Sequence, residues 1–227
     1  MDGFDGETSV AFIDISGLKR FMEIDRRNKS NDYILSYKAL DKFYKTAYKL
    51  LKKYKCLDGI FVSDCGIVFI RQMQNDNISS LLDFVKDMNS IMLKVDPNNS
   101  NDLSVMLTTS IAYGNFKFED RIELINMDKG LFIGEAYLSA YLDSTKLNPK
   151  LKPCECRIVK ESIPDNQRGA FSNWISQHQN NYILREKGKH YYYYWMLSNH
   201  DLIDKLEEDY KDARFRGIKE VVLERLD

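Results

Sequence analysis

The chain has 227 residues, of which 44% are hydrophobic and 30% are charged, a composition typical of a globular protein. Its 33 basic and 34 acidic residues give a formal net charge of −1, so charge offers no case for binding nucleic acid or an anionic membrane. No apolar run is long enough to cross a bilayer, and the acidic start MDGFDGE lacks the features of a signal peptide. We therefore expect a cytoplasmic protein that binds no nucleic acid and makes no direct membrane contact.

The first elements predicted along the chain are a buried strand at 9–14, a short helix at about 18–27 and a longer helix at about 32–54. Apolar residues spaced by four and three predict the buried face of the longer helix. These residues are Tyr33, Tyr37, Leu40, Tyr44, Ala47, Leu51 and Tyr54.

Two apolar runs, at 57–62 and 66–71, flank Ser63-Asp64-Cys65 and predict a β-hairpin with a short turn. A third helix fits 77–94, and a long strand at 103–114 ends on a glycine.

The last elements predicted are a helix at 133–146, a strand at 156–160, two strands around the Lys-Gly-Lys turn within 180–197, and a charged helix at about 200–213. Hairpins mixed with helices, rather than strict βαβ alternation, indicate an α+β sandwich with a mostly antiparallel sheet. The four cysteines and three histidines show no zinc-ligand spacing, so we expect reduced thiols.

Two acids stand at predicted turns: Asp14 ends the first strand, and Asp64 is at the tip of the hairpin. If these strands are neighbours, as in ferredoxin-like sheets, both carboxylates reach one edge, where a divalent cation would neutralise their repulsion. Oxygen ligands favour Mg²⁺ or Mn²⁺, and Gly17 lets backbone N–H groups turn towards a phosphate. Acids are also common in ordinary turns, so spacing alone leaves both interpretations open.

Five segments, in order, resemble motifs of the class III nucleotide cyclases. They are FIDISGLKRFM, FVSDCGIVFI, SIAYGNF, FIGEAYLSAYL and EKGKHYYYYWML. The resemblance implies a ferredoxin-like class III cyclase fold, a head-to-tail homodimer with shared active sites, a catalytic domain at 1–197 and a C-terminal helical extension at 198–227.

The resemblance also implies site residues. Asp14, Asp64 and the Ile15 carbonyl would hold two Mg²⁺ or Mn²⁺ ions per active site. The triphosphate would be bound by Gly17, Leu18, Lys19, Lys187 and Lys189. The acids would come from one chain, and the helix after Gly134 and Lys187 from the other.

The chain departs from the purine cyclases at two pairs of positions. Ile60 and Leu131 stand where side chains that read the purine edge are expected. Leu138 and Leu142 stand where a ribose-orienting Asn and a transition-state Arg are expected. Candidate replacements for the lost charge are Lys117, Arg121 and Lys189.

A closer resemblance is to the bacterial pyrimidine cyclases of the Pycsar anti-phage system, on the helix start GEAYLSAY. It implies that UTP is cyclised to cUMP, a second messenger for a separately encoded effector in antiviral defence. The base would lie near Ile60, Leu131 and Tyr137, and Tyr33, Tyr37 and Tyr141 are further candidates. Three alternatives stay open: a cytidylate cyclase that makes cCMP from CTP, a purine cyclase with a rearranged pocket, and an inactive cyclase-like binding module.

Overall fold

The computed structural model describes residues 3–27, 34–71, 77–99, 102–124, 127–178 and 180–226. Its strands are β1 Phe4–Ile15, β2 Leu57–Val62, β3 Cys65–Ile70, β4 Leu107–Leu124, β5 Met127–Ile133, β6 Cys156–Val159, β7 Leu184–Lys187 and β8 His190–Tyr193. Its α-helices are α1 Leu18–Arg27, α2 Ile34–Lys53, α3 Asn77–Leu93, α4 Glu135–Thr145, α5 Asp165–His178, α6 Ile203–Asp212 and α7 Phe215–Leu223.

The strands form one sheet in the order β2-β3-β1-β4-β6-β8-β7, and β5 pairs with the second half of β4. The first four strands in this order are antiparallel to their neighbours, with β1 between β3 and β4. Strand β6 runs parallel to β4, and the remaining pairs are antiparallel. The predicted α+β fold, a mostly antiparallel ferredoxin-like sheet with flanking helices, is confirmed.

The two faces of the sheet are covered differently. Ala11 and Ile13 of β1 join the main core, to which α2 and α3 contribute, whereas Val10 and Phe12 join a smaller core on the other face. This alternation is the period of two that a strand imposes on its side chains. The smaller core receives buried residues from α4, Ala136 and Ala140 among them. The α4 face is therefore the less covered of the two in the part of the chain that the structure describes.

The buried face of α2 lies beside the predicted one. Its buried residues are Ser36, Ala39, Phe43, Thr46, Ala47 and Leu50. Tyr37 is 66% exposed, so its predicted inward position was wrong, while Tyr44 and Tyr54 pack at the margin of the core. Small side chains let the helix approach the sheet, and tyrosines at the margin keep their hydroxyl groups near water. Tyr33 lies outside the described residues.

The strand predicted at 103–114 begins later and continues further than expected, because β4 runs for 18 residues from Leu107. Strand β5, its partner, was not predicted. Gly114 lies inside β4, where a Cβ atom would be 3.3 Å from the Ala136 nitrogen, so this glycine marks the close approach of α4. At Gly134, φ is 149° and a Cβ atom would be 2.2 Å from the Asn115 carbonyl oxygen, so only glycine fits between β5 and α4.

A buried polar network attaches α4 to the sheet through Asp143. Arg157 donates from Nε to the Asp143 carboxylate at 2.7 Å and from Nη2 to the Asp143 carbonyl at 2.8 Å. Ser110 Oγ donates to the same carboxylate at 2.8 Å, and His190 Nε2 lies 2.8 Å from its other oxygen. Burial alone would raise the pKa of Asp143, but the bonds from His190, Arg157 and Ser110 hold that pKa well below its usual range.

The C-terminal helices pack into the main core. Ile203, Leu206 and Tyr210 of α6 and Val222 of α7 are buried there, next to residues of the sheet. The four cysteines form no disulfide. Within the described ranges, no helix is both long enough and apolar enough to cross a membrane.

Replacement of Asp143 by Ala should lower the free energy of unfolding by about 3–5 kcal/mol, because the Arg157 charge stays buried without its partner. Urea unfolding at neutral pH measures this change. A matched control is Asp41→Ala, which removes an exposed pair with Lys45 one helical turn away and should cost no more than about 0.5 kcal/mol. Equal losses in the two variants would contradict the structural role of the network.

Candidate functional site

The pairing of β1 with β3 brings Asp14 and Asp64 to the same end of the sheet. Asp14 lies opposite Cys65, and Asp64 is the residue immediately before it in the hairpin turn. The Ile15 N–H donates to the Asp64 carbonyl at 2.9 Å, which fixes the end of β1 against that turn. Ser63 has a φ of 56°, the left-handed conformation expected at the start of a tight two-residue turn. The pairing of β1 with β3 therefore meets the condition under which the two acids were expected to be neighbours.

The local environment disfavours two free negative charges. Burial raises the pKa of Asp14 to about 7, and the adjacent charge of Asp64 contributes to the increase. Burial, Asp64 and Asp14 also raise the pKa of the Cys65 thiol. Without a bound cation, the protonated form of Asp14 is thus far more favoured at neutral pH than that of a free carboxyl group. A divalent cation bound by both carboxylates would remove the repulsion and favour their ionised forms.

The donor atoms suit Mg²⁺ or Mn²⁺, since carboxylate oxygens are the ligands that these cations prefer. Among the described residues, no group of three or more His, Cys, Asp or Glu side chains could hold a metal ion. Mg²⁺ is often bound by only one or two carboxylates, with water and substrate phosphates completing its shell. Asp14 and Asp64 therefore fit a cation that binds together with a phosphate. The Ile15 carbonyl stays a predicted ligand.

The turn after Asp14 leads directly into a helix N-terminus. Gly17 has a φ of 85°, a conformation that favours glycine, and its carbonyl accepts from the Arg20 and Phe21 N–H groups at 2.9 and 3.4 Å. Leu18 is buried and Lys19 is exposed. N–H groups in the first helical turn have no partner within the helix and carry partial positive charge. The predicted phosphate-binding residues Gly17, Leu18 and Lys19 thus lie at the positive end of α1, two to four residues beyond β1.

Two further residues at this end of the sheet were not predicted. The Ser16 Oγ is buried and has no hydrogen-bond partner in the described ranges, and its N–H donates to Met106 at 2.9 Å. The Tyr44 hydroxyl contacts the backbone of Ser63. The pKa of Tyr44 is raised mainly by burial, then by Tyr48, and to a smaller extent by Asp64. A polar residue two positions after Asp14 was a visible signal for Ser16. Tyr44 gave no signal, because its contact depends on how α2 packs.

Two of the predicted base-pocket residues, Ile60 and Tyr137, border the smaller core on the α4 face of the sheet. The Tyr137 ring is 4.9 Å from Phe132 and stacks on Tyr141 at 6.1 Å. Burial raises the pKa of Tyr137, and Cys65 of the hairpin packs against the same small core as Tyr137.

The third base-pocket residue, Leu131, lies on β5 opposite Glu119 and is 47% exposed. One chain therefore brings two of the three predicted base-pocket residues to one small core.

The Lys187-Gly188-Lys189 turn is distant from the acids within one chain. Strand β7 is separated from β1 by β4, β6 and β8, and the strand registers place Leu184, rather than Lys187, level with the Asp14 end. Lys187 Nζ is 2.8 Å from Glu207 of α6 and lies over the Tyr192 ring, and Lys189 is 2.7 Å from Glu161.

The other basic residues predicted to replace the lost charge are Lys117, which pairs with Asp5 and Glu119, and Arg121, whose side chain lies outside the described residues.

Exposed apolar side chains concentrate on β5, α4 and the residues after α4, a region called here the β5–α4 surface. They are Leu131, Ile133, Leu138, Tyr141, Leu142 and Leu147. Ile133 is 65% exposed and Leu138 is 52% exposed. A concentration of exposed apolar side chains in one region of a protein commonly marks a protein–protein interface.

Comparison with known proteins gives no match to a family model and none among curated proteins. Solved structures do match. The guanylate cyclase domain of RhGC from Catenaria anguillulae, in complex with GTP, is 13% identical with a TM-score of 0.56, over 85% of this chain and 97% of that one. A dimeric guanylyl cyclase domain from Blastocladiella emersonii is 12% identical with a TM-score of 0.58, over 85% of this chain and 97% of that one.

The adenylyl cyclase CyaB from P. aeruginosa is 16% identical with a TM-score of 0.52, over 85% of this chain and 95% of that one. At these identities the likeness establishes a shared fold. The chain has the fold of the class III nucleotide cyclases.

Replacement of Asp14 by Asn should stabilise the metal-free protein at about pH 8 by on the order of 1–2 kcal/mol. The folded-state pKa of about 7 exceeds the ordinary value of 3.8, so the native state binds the extra proton and loses stability as pH rises between these values. Urea unfolding in the presence of a chelator, from about pH 4 to 8, measures the difference, which should vanish at the acidic end. Asp5→Asn, an exposed acid on the same strand, is the control. If the extra stability of Asp14→Asn over the wild type did not increase with pH, the raised pKa of Asp14 would be contradicted.

Proposed function

We propose that this protein is a metal-dependent nucleotide cyclase that converts a pyrimidine nucleoside triphosphate, UTP in preference to CTP, into a cyclic mononucleotide and pyrophosphate. The observation that carries this proposal is the Asp14–Asp64 pair on a class III cyclase fold, with the pKa of Asp14 raised to about 7. Two acids held this closely are destabilising unless they bind a cation or a proton. The N-terminus of helix α1 follows four residues after Asp14, so a triphosphate is a fitting partner for the cation and the helix together.

The chain's own residues bind and orient the substrate. Asp14 and Asp64 would hold the two cations, and these would supply a lowered pKa of the ribose 3′-hydroxyl and positive charge to offset the triphosphate. The N–H groups of Gly17, Leu18 and Lys19 hold phosphate oxygens. The 3′-oxygen bonds to the α-phosphorus, the α–β phosphoanhydride bond breaks, and the hydroxyl proton passes to water. No covalent intermediate with the protein is needed.

The preference for a pyrimidine rests on what the pocket lacks. Ile60 and Leu131 have no side-chain group that could form a hydrogen bond with a purine edge. A site without such hydrogen bonds does not select for a purine base. The Tyr137 ring, stacked on Tyr141 beside Ile60, offers an aromatic surface to a smaller base. The choice of UTP over CTP rests on the resemblance to the Pycsar cyclases, as do the antiviral role and the link to a cyclic-nucleotide-activated effector.

We infer that the active form is a head-to-tail homodimer. Lys187 lies four strands from β1 within one chain, so it reaches the acids only from a second copy. The β5–α4 surface offers the apolar area that such a dimer would cover. On binding substrate, Lys187 would exchange Glu207 for a phosphate.

A second candidate function is a non-catalytic nucleotide-binding module. Leu138 and Leu142 favour it, because both are exposed leucines on the helix where the class III motif has an Asn and an Arg. This alternative keeps triphosphate binding and predicts no product.

In an assay with Mn²⁺ and each of the four nucleoside triphosphates, UTP should give the largest release of pyrophosphate together with cUMP. Asp14→Ala and Asp64→Ala should each reduce that rate by a factor of at least about a hundred, since each removes a cation ligand. Asp5→Ala is the matched control, an exposed acid on the same strand as Asp14, and should retain wild-type turnover.

The other outcomes discriminate among the alternatives. Faster turnover of ATP or GTP would replace the pyrimidine assignment with a purine cyclase, and turnover of CTP would indicate a cytidylate cyclase. Calorimetric binding of a triphosphate without product would favour the binding module. Unchanged turnover in both acid variants would overturn the proposed site.

Mixing an Asp14→Ala chain with a Lys187→Ala chain should restore activity to roughly a quarter of wild type. In a head-to-tail dimer half of the random pairs are mixed, and each mixed pair contains one intact site. Each variant alone should be inactive or strongly impaired. Size-exclusion chromatography with light scattering would verify that the mixed species is a dimer.

The control for this experiment is a mixture of Asp14→Ala and Asp64→Ala chains. Both acids of a site come from one chain in this arrangement, so no mixed pair contains an intact site and activity should not return. Recovery in the control mixture, or none in the first mixture, would contradict a site shared in this way.

A further inference from the structure

A cleft of about 540 Å³ lies between α5 and the sheet, on the face that α2 and α3 also cover. Its floor is apolar and is formed by side chains from three strands: Ile70, Ile111 and Ile158. Phe171 and Trp174 of α5 form one wall. A volume in this range suits a small organic ligand, and the recessed apolar floor provides the burial that such ligands require.

Polar groups converge at one end of this cleft. The Tyr113 hydroxyl donates to the Glu7 carboxylate at 3.1 Å and accepts from Gln167 Nε2 at 3.2 Å. These three side chains give the cleft a polar end with a carboxylate acceptor, beside the apolar floor.

Charge at the cleft selects against anions. Among the described lining residues Glu7 is the charged side chain, and no lysine or arginine accompanies it. An anionic ligand would meet this carboxylate with no compensating positive charge. A neutral or cationic group that donates to Glu7 would be favoured.

From these observations we propose that the cleft binds a small amphipathic molecule with an apolar ring system or short chain and a neutral or cationic hydrogen-bonding group. Its apolar part lies on the three isoleucines, and its polar group lies among Glu7, Tyr113 and Gln167. A cleft of about 540 Å³ suits a small molecule better than a folded protein partner.

This site is separate from the proposed cyclase site and does not depend on that proposal. Ser9, which lines the cleft, precedes Asp14 by five residues along β1, a distance of roughly 17 Å in an extended strand. The cleft also lies on the opposite face of the sheet from Tyr137. Binding can therefore be tested by a direct readout, without a cyclase assay.

The experiment titrates the full chain with N-phenyl-α-naphthylamine, a neutral ring compound with an N–H donor whose fluorescence rises in apolar surroundings. The matched probe is anilinonaphthalene sulfonate, which has the same rings and an added negative charge. The neutral probe should bind at one site per chain and at least roughly tenfold more tightly than the sulfonate, since Glu7 opposes the anion.

Two variants locate the site. Ser9→Leu extends an apolar side chain into the cleft and should abolish binding, while Leu138→Asp alters the β5–α4 surface and should leave binding unchanged. Glu7→Gln should reduce the ratio between the dissociation constants of the two probes by roughly fivefold or more. Thermal unfolding of each variant checks that the fold is retained, and Ala170→Trp at the mouth of the cleft replaces Ser9→Leu if that variant does not fold.

Three outcomes would overturn the proposal: tighter binding of the sulfonate than of the neutral probe, loss of binding in Leu138→Asp, or full binding in Ser9→Leu or its replacement Ala170→Trp. Absence of binding by the neutral probe to the folded wild-type chain would overturn it as well.

Discussion

The antiparallel pairing of β1 with β3 on one side and β4 on the other is the constraint on which the rest of the molecule depends. It sets Asp14 opposite Cys65, and thereby places Asp14 next to Asp64 at the hairpin turn. It also divides the side chains of β1 between two cores, with Ile13 in one and Phe12 in the other. A shift of one residue in this register would exchange the two sets of side chains between the cores and move Asp14 from its position opposite Cys65. Correct folding and the carboxylate pair thus have the same physical origin.

The second determinant is the attachment of α4. Gly134 allows the chain to turn against Asn115, and the Asp143–Arg157 pair holds the other end of the helix to β6. With the helix fixed in this way, its remaining apolar residues, Leu138 among them, stay exposed to solvent. Burial of an ion pair costs desolvation free energy, so the main effect of such a pair is to fix the geometry of the elements that it joins. Here that geometry presents an apolar surface, which is what a second chain would require.

Much of the fold could be predicted because its elements carry strong local patterns. The hairpin at Leu57–Ile70 was predicted within a residue, since two apolar runs around a short polar turn have few alternatives. Strand β5 was missed, because the glycine at 114 was interpreted as the end of a strand. Glycine is present at 114 because α4 approaches the backbone of β4 closely there. The inward face of α2 was misjudged at Tyr37, since aromatic residues at a margin have the same spacing as residues in a core.

By itself the sequence determined most of the order of helices and strands, β5 and α7 excepted, and the presence of an acid at each of two turns, because turn chemistry and hydrophobic periodicity are local properties. The resemblance to the class III cyclases adds the expectation that Ile60 and Leu131 stand where purine-reading side chains would be. Only the tertiary structure decided that the acids are neighbours, that burial raises the pKa of Asp14 to about 7, and that Lys187 is four strands away. The reason is that strand order and burial depend on contacts between residues far apart in the chain, which no local pattern records.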